Sequence, residues 1–85
     1  MKMTFKEVSF FCERNGICIY EQVDKKDRRK RFYKMLIPVF EDGKVIPVRN
    51  EEYLVKTIKE CYQHTKKLLE DDKFRANTAA WVRSW

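Results

Sequence analysis

The chain is poor in the residues from which most catalytic and cofactor sites are built. Its 85 residues include one histidine, two glycines and two prolines, and its three cysteines form no C-x-x-C pair. Gly16 and Gly43 each sit in a turn-like dipeptide, so no glycine-rich phosphate loop can be assembled. His64 is alone, whereas a nucleophile–base pair needs a second group within hydrogen-bond reach and a third to orient it. Glu60 and Glu70 have lysines one helical turn away, Lys56 and Lys67, and read as surface pairs. Cys61-x-x-His64 has the spacing of two zinc ligands on a helix. Cys12 and Cys18 fall on opposite faces of the strands expected below and do not complete the set. The sequence therefore leads us to expect no enzyme, no metal and no cofactor.

Long apolar runs are also missing. The longest, residues 35–40, has six residues and includes Pro38, far short of the ~18 a membrane span needs. Glu7 interrupts the apolar run after Lys2 before a signal sequence can form. An odd cysteine count without such a segment favours a reducing, cytoplasmic setting.

What the chain does have is aromatic residues and charge. Six Phe, four Tyr and two Trp accompany an apolar fraction of 44%, too much for a disordered chain. The length suits one small domain spanning residues 1–85. The net charge is +6, and residues 24–34, DKKDRRKRFYK, hold seven cations against two acids, or +5. A local block of one charge is a stronger partner signal than a raised pI spread evenly.

The expected fold is α+β: an antiparallel sheet of about four strands, from two hairpins, covered by one long helix, with a short C-terminal helix. Residues 8–14 and 17–23 flank Asn15-Gly16, a strong type I′ hairpin signal. In a two-residue register Cys12 pairs with Ile19 and Phe11 with Tyr20. Val8, Phe10, Cys12, Ile17, Ile19 and Val23 then share the core face, and Phe11, Cys18 and Tyr20 the other. A second hairpin about Asp42-Gly43 would set Phe40 against Val45, Val39 against Ile46 and Pro38 against Pro47. The prolines would face away from the hairpin and limit its extension by a neighbour. Asn50 then caps a helix over residues 51–71, with the stripe Leu54, Val55, Ile58, Cys61, Tyr62, Thr65, Leu68 and Leu69. Asp71-Asp72 breaks it. Residues 73–85 form a second helix with Phe74, Thr78, Trp81 and Trp85 on one side.

Two functional readings follow. In the first, Lys25, Lys26, Arg28, Arg29, Lys30, Arg31 and Lys34 contact the phosphates of DNA or RNA, and Tyr33 stacks on a base. Phe32 and Tyr20 lie near the cluster. Such contacts give salt-dependent, largely sequence-neutral affinity. Lys56, Lys59, Lys66 and Lys67 extend the field if the helix lies on the same side. In the second, the chain is a small inhibitor or adaptor, such as phages and mobile elements encode. It binds an acidic protein through the same cluster, or a partner through Phe74, Trp81 and Trp85. Otherwise the tryptophans complete a small core, and the basic stretch is a soluble connector. A dimer is compatible with either reading.

An antiparallel sheet followed by a helix, with basic residues on the strands, is similar in outline to the arm-site DNA-binding domains of tyrosine recombinases. That outline implies DNA as the partner.

Overall fold

The first helix begins where the sequence offers its first capping box. Thr4-x-x-Glu7 closes on itself: the Thr4 hydroxyl oxygen accepts the Glu7 N–H at 3.2 Å and its O–H donates to the Glu7 carboxylate at 2.9 Å. Helix α1 (Phe5–Arg14) follows in this computed structural model, which describes residues 3–85. Met1 and Lys2, with which the reading of the N-terminal segment starts, lie outside the described residues. Val8 and Cys12 occupy the buried stripe of α1. The Gly16 N–H donates to Glu13 O at 3.0 Å and the Ile17 N–H to Cys12 O at 2.9 Å, a Schellman ending with Gly16 at φ +79°. Asn15-Gly16 therefore stops a helix instead of turning a hairpin. The strand expected over residues 8–14, its pairing with 17–23 and the exposed Phe10 are the first correction. Alternating Val8, Phe10 and Cys12 fits a strand, but Phe5, Val8 and Cys12 at i, i+3 and i+7 fit a capped helix.

Strands β1 (Cys18–Val23), β2 (Arg31–Val39) and β3 (Arg49–Val55) form an antiparallel sheet in the order β1-β2-β3. Three strands replace the four expected. The register sets Ile19 against Met35, Tyr33 against Val55 and Met35 against Tyr53. Partners directly opposite share a face. Ile19, Tyr33, Met35, Ile37 and Val55 point inward and are buried together with Val8, Cys12, Ile17 and Cys61. β1 pairing ends at Cys18↔Leu36, two residues before Pro38, so the missing proline N–H falls where β2 has a neighbour on one side only.

Asp42-Gly43 lies in a longer connection, and β2 meets β3 through Val39↔Arg49 and Pro38↔Asn50. The expected pairing of Phe40, Val39 and Pro38 with Val45, Ile46 and Pro47 is not formed. Instead Phe40 turns to α3, while Val45 and Ile46 are exposed.

The long helix expected from residue 51 is divided. Residues 49–55 are strand, and helix α2 (Ile58–Leu68) starts at a second capping box, Thr57-x-x-Glu60, in which the Thr57 oxygen accepts the Glu60 N–H at 3.1 Å. Asn50 lies inside β3, opposite Pro38, and so caps no helix. Beyond residue 57 the apolar stripe behaves as expected, with Cys61 and Thr65 buried. α1 and α2 pack together through Phe11 and Tyr62, 5.1 Å between ring centres, and through Cys12 Sγ and Thr65 Oγ1 at 3.2 Å. Both cover the inner face. Asp71 caps helix α3 (Asp72–Arg83), accepting the N–H groups of Lys73 and Phe74. Trp81 of α3 rests on Gly16 and on Phe40.

Among the described residues, no helix is long and apolar enough to cross a membrane.

Candidate nucleic-acid interface

The basic stretch, expected to join two hairpins, is instead over residues 24–30 the connection within one, between β1 and β2, and its two acids explain its shape. The Asp24 carboxylate accepts the Lys26 N–H at 2.8 Å and the Asp27 carboxylate accepts the Arg29 N–H at 3.1 Å. These are Asx turns, in which a short side chain stands in for backbone. The Lys30 N–H donates to Asp27 O at 2.9 Å and the Asp24 N–H to Lys30 O at 3.0 Å, closing the loop on itself. One oxygen of each carboxylate thus serves the loop backbone. Lys25, Lys26, Arg28, Arg29 and Lys30 are all exposed at its rim. Only Arg29 approaches a carboxylate, Asp27 at 3.9 Å, with its own side chain 97% exposed. Among the described residues Lys25, Lys26, Arg28 and Lys30 have no ion-pair partner.

The remaining expected contacts divide. Arg31 starts β2 and is paired with Glu21 across the ladder. Lys34 is on the outer face of the sheet, half-buried, 3.8 Å from Glu52. Tyr33 points inward, is 7% exposed and stacks on Phe5 at 5.9 Å. Burial, then the Glu21 charge, push its hydroxyl pKa up. A ring so enclosed has no face for a base, so the expected stacking role of Tyr33 is corrected. Its neighbour Phe32 takes the outer face, diagonal to Tyr20, which is 46% exposed. A signal for this was in the sequence: Lys34 marks the solvent side of β2, and Phe32, two residues earlier, shares it.

Among the described residues, no helix lies over the outer face. Tyr20, Phe32, Lys34 and Leu36 are partly or fully exposed, and Leu54 is 61% exposed. Where this face meets the basic loop, a groove of about 480 Å³ is lined by Asp24, Lys30, Arg31, Phe32 and Lys56. Lys56 follows β3 and reaches this end because Tyr33 pairs with Val55. Lys59, Lys66 and Lys67 ride on α2, against the inner face, with Lys66 over the Tyr62 ring at 5.4 Å. They do not extend the field of the loop; of the four lysines only Lys56 does.

Phe74, Trp81 and Trp85 cluster at the other end of the sheet. Phe74 and Trp81 are half-buried around Phe40, at 6.4 and 6.2 Å between ring centres. Trp85 leans edge-on against Trp81 and is 64% exposed. The basic loop and the tryptophans therefore mark opposite ends.

The other titratable groups are placed by packing. Cys12 and Cys61 are buried and Cys18 is exposed. Burial, then the neighbouring Cys12 and Glu60, push the Cys61 thiol up to about 12, and burial raises Cys12. His64 stacks flat on Tyr53 at 4.2 Å; burial, then Lys67, lower its pKa. Among the described residues, no three His, Cys, Asp or Glu side chains converge as metal ligands.

Comparison with known proteins gives no match to a family model, a characterised protein or a solved structure.

Proposed function

We propose that this protein binds nucleic acid without catalysing a reaction on it. The observation that carries the reading is an ordered hairpin loop in which, among the described residues, Lys25, Lys26, Arg28 and Lys30 have no ion-pair partner, beside a sheet face that no described helix covers. Lys25, Lys26, Arg28, Arg29 and Lys30 contact phosphates, and Lys34 and Lys56 continue the positive surface onto the sheet. Because the loop is closed by its own hydrogen bonds, little ordering opposes binding. An accessory role in the cytoplasm suits the three free thiols.

Binding of mixed-sequence DNA and RNA, followed by fluorescence anisotropy over a range of salt, tests this. The log–log slope should be steep. Replacing Arg28, Arg29 and Lys30 together by alanine should make it shallower by about 2–3, at roughly 0.7–0.9 for each phosphate no longer neutralised. No binding even at low salt would end the reading.

A second reading, an inhibitor or adaptor that binds a protein, is favoured by Trp85. A tryptophan that is mostly exposed beside another is a typical anchor for a partner. A partner captured by the wild type, absent with Trp85→Ala and kept when the loop cations are removed, would support it.

A further inference from the structure

We infer that the strand bound is single, with one base lying on Phe32 in the groove between the basic loop and Lys56. The inference rests on the nucleic-acid reading and specifies its ligand. Phe32 has neither donor nor acceptor, so at the edge of a paired base it can make only apolar contact, as with a thymine methyl. Its larger use to a nucleic acid is its ring face, and a base offers a free face only when it is unstacked. The groove supplies what a nucleotide needs beside that ring. Its volume, about 480 Å³, lies in the ~300–1,000 Å³ range of small-ligand sites. Lys30 and Lys56 flank Phe32 and have no ion-pair partner among the described residues. The other cation there, Arg31, is held by Glu21, and the Asp24 carboxylate accepts a loop N–H. The two lysines are thus the charges open to a phosphate.

The register continues the path. Gln22 lies opposite Phe32, and Tyr20 lies opposite Lys34 one step further along the same face. Tyr20 and Phe32 are diagonal neighbours, close enough for rings to act together. A strand crossing from the groove meets Phe32, then Tyr20 with Lys34 beside it, so that ring faces and cations alternate. A double helix keeps its base faces stacked on one another and offers neither ring a face to stack on unless a step is wedged open.

The test compares a short oligothymidylate, the matching oligouridylate and a duplex of equal length at several salt concentrations. Both single strands should bind more tightly than the duplex, and the DNA and RNA arms show whether the 2′-hydroxyl matters. Phe32→Leu keeps apolar bulk but removes the ring. It should weaken single-strand binding by about 5- to 100-fold, the worth of one base stacked on an aromatic ring, with the salt slope unchanged. Phe32→Trp should restore it. Lys56→Ala should instead lower the slope by about 0.7. If Phe32→Leu lowers the melting midpoint, Tyr20→Leu on the exposed edge strand serves with the same readout. Duplex binding as tight as single-strand binding, or indifference to Phe32→Leu and Tyr20→Leu, would overturn the single-strand inference and leave the phosphate reading standing. Failure of every nucleic acid to bind at low salt would overturn both.

Discussion

Gly16 and Gly43 share one positive φ in two different surroundings, and the pair makes a controlled experiment. Both have φ +79°. A Cβ at Gly43 would meet nothing within 4 Å, whereas at Gly16 it would lie 3.0 Å from Trp81 Cζ3 and 3.1 Å from Trp81 Cε3. Left-handed backbone costs an L-residue roughly 1–2 kcal/mol, partly offset by about 0.4–1 kcal/mol from the reduced freedom of the unfolded chain. Gly43→Ala should therefore destabilise by about 1 kcal/mol. Gly16→Ala carries the same backbone cost plus overpacking against a ring that Phe40 already confines, about 1–3 kcal/mol more. In a domain of this size each kcal/mol moves the melting midpoint by roughly 4–8 °C. Thermal unfolding followed by circular dichroism should thus separate the variants by at least several degrees. In a Trp81→Leu background the excess at Gly16 should vanish, because the ring that opposes the new methyl has gone. Equal destabilisation by the two glycine variants, or an excess that persists without Trp81, would refute the seating of α3 on the Gly16 turn.

Four further outcomes follow from the packing and from the loop. A thiol reagent added to the native protein should label Cys18 quickly and Cys12 and Cys61 only on unfolding, since the latter two are buried and held protonated. The same thiols retain their protons in the folded state above the pH at which they lose them when unfolded, so stability should fall as pH rises from about 9 toward 12, measured as urea midpoints. His64 should titrate by NMR below its ordinary 6.5. The unfolded chain then binds its proton first, so the contribution of His64 to stability is present above pH 6.5 and declines as pH falls below it. Asp27→Asn should raise nucleic-acid affinity, by up to about 1 kcal/mol for one charge removed. Asp27→Ala should raise it less, because it also deletes the acceptor for the Arg29 N–H; equal gains in anisotropy titrations would contradict the role given to that turn.

How far the sequence was legible depended on which of two periodicities each segment carried alone. Residues 73–85 had one pattern and an acidic start, and they form α3 nearly as expected. The part of the expected long helix that lies after residue 57, which is α2, behaves likewise. Residues 8–14 carry both periods, and the Asn-Gly dipeptide after them serves a helix end as well as a hairpin. The capping boxes at Thr4 and Thr57 were the deciding signals, since each satisfies helix N–H groups that a strand would not leave free. β3 was hidden because Leu54 and Val55 continue the stripe of α2 by accident of spacing. Its strand form comes from pairing with β2, a meeting of distant residues that no local pattern encodes. The basic loop was legible as composition, but its order was not: that depends on where Asp24 and Asp27 stand relative to the backbone two residues on. Tyr33 and Phe32 show the finest margin, because a shift of one residue along a strand exchanges core for surface.

The seating of α3 sets a hierarchy of opening. It joins no backbone ladder, and its attachment is made by side chains on one side: Phe74 and Trp81 about Phe40, Trp81 over Gly16, and the buried Thr78. The exposed Lys73–Asp42 pair adds little. Such an element can detach without disturbing the ladder between β1 and β2. Amide protons in the middle of α3 should exchange with solvent sooner than those of Met35 and Ile19, and a protease should find the junction between α2 and α3 first. The open sheet face belongs to that ladder, so the surface proposed for nucleic acid keeps its frame when α3 lets go.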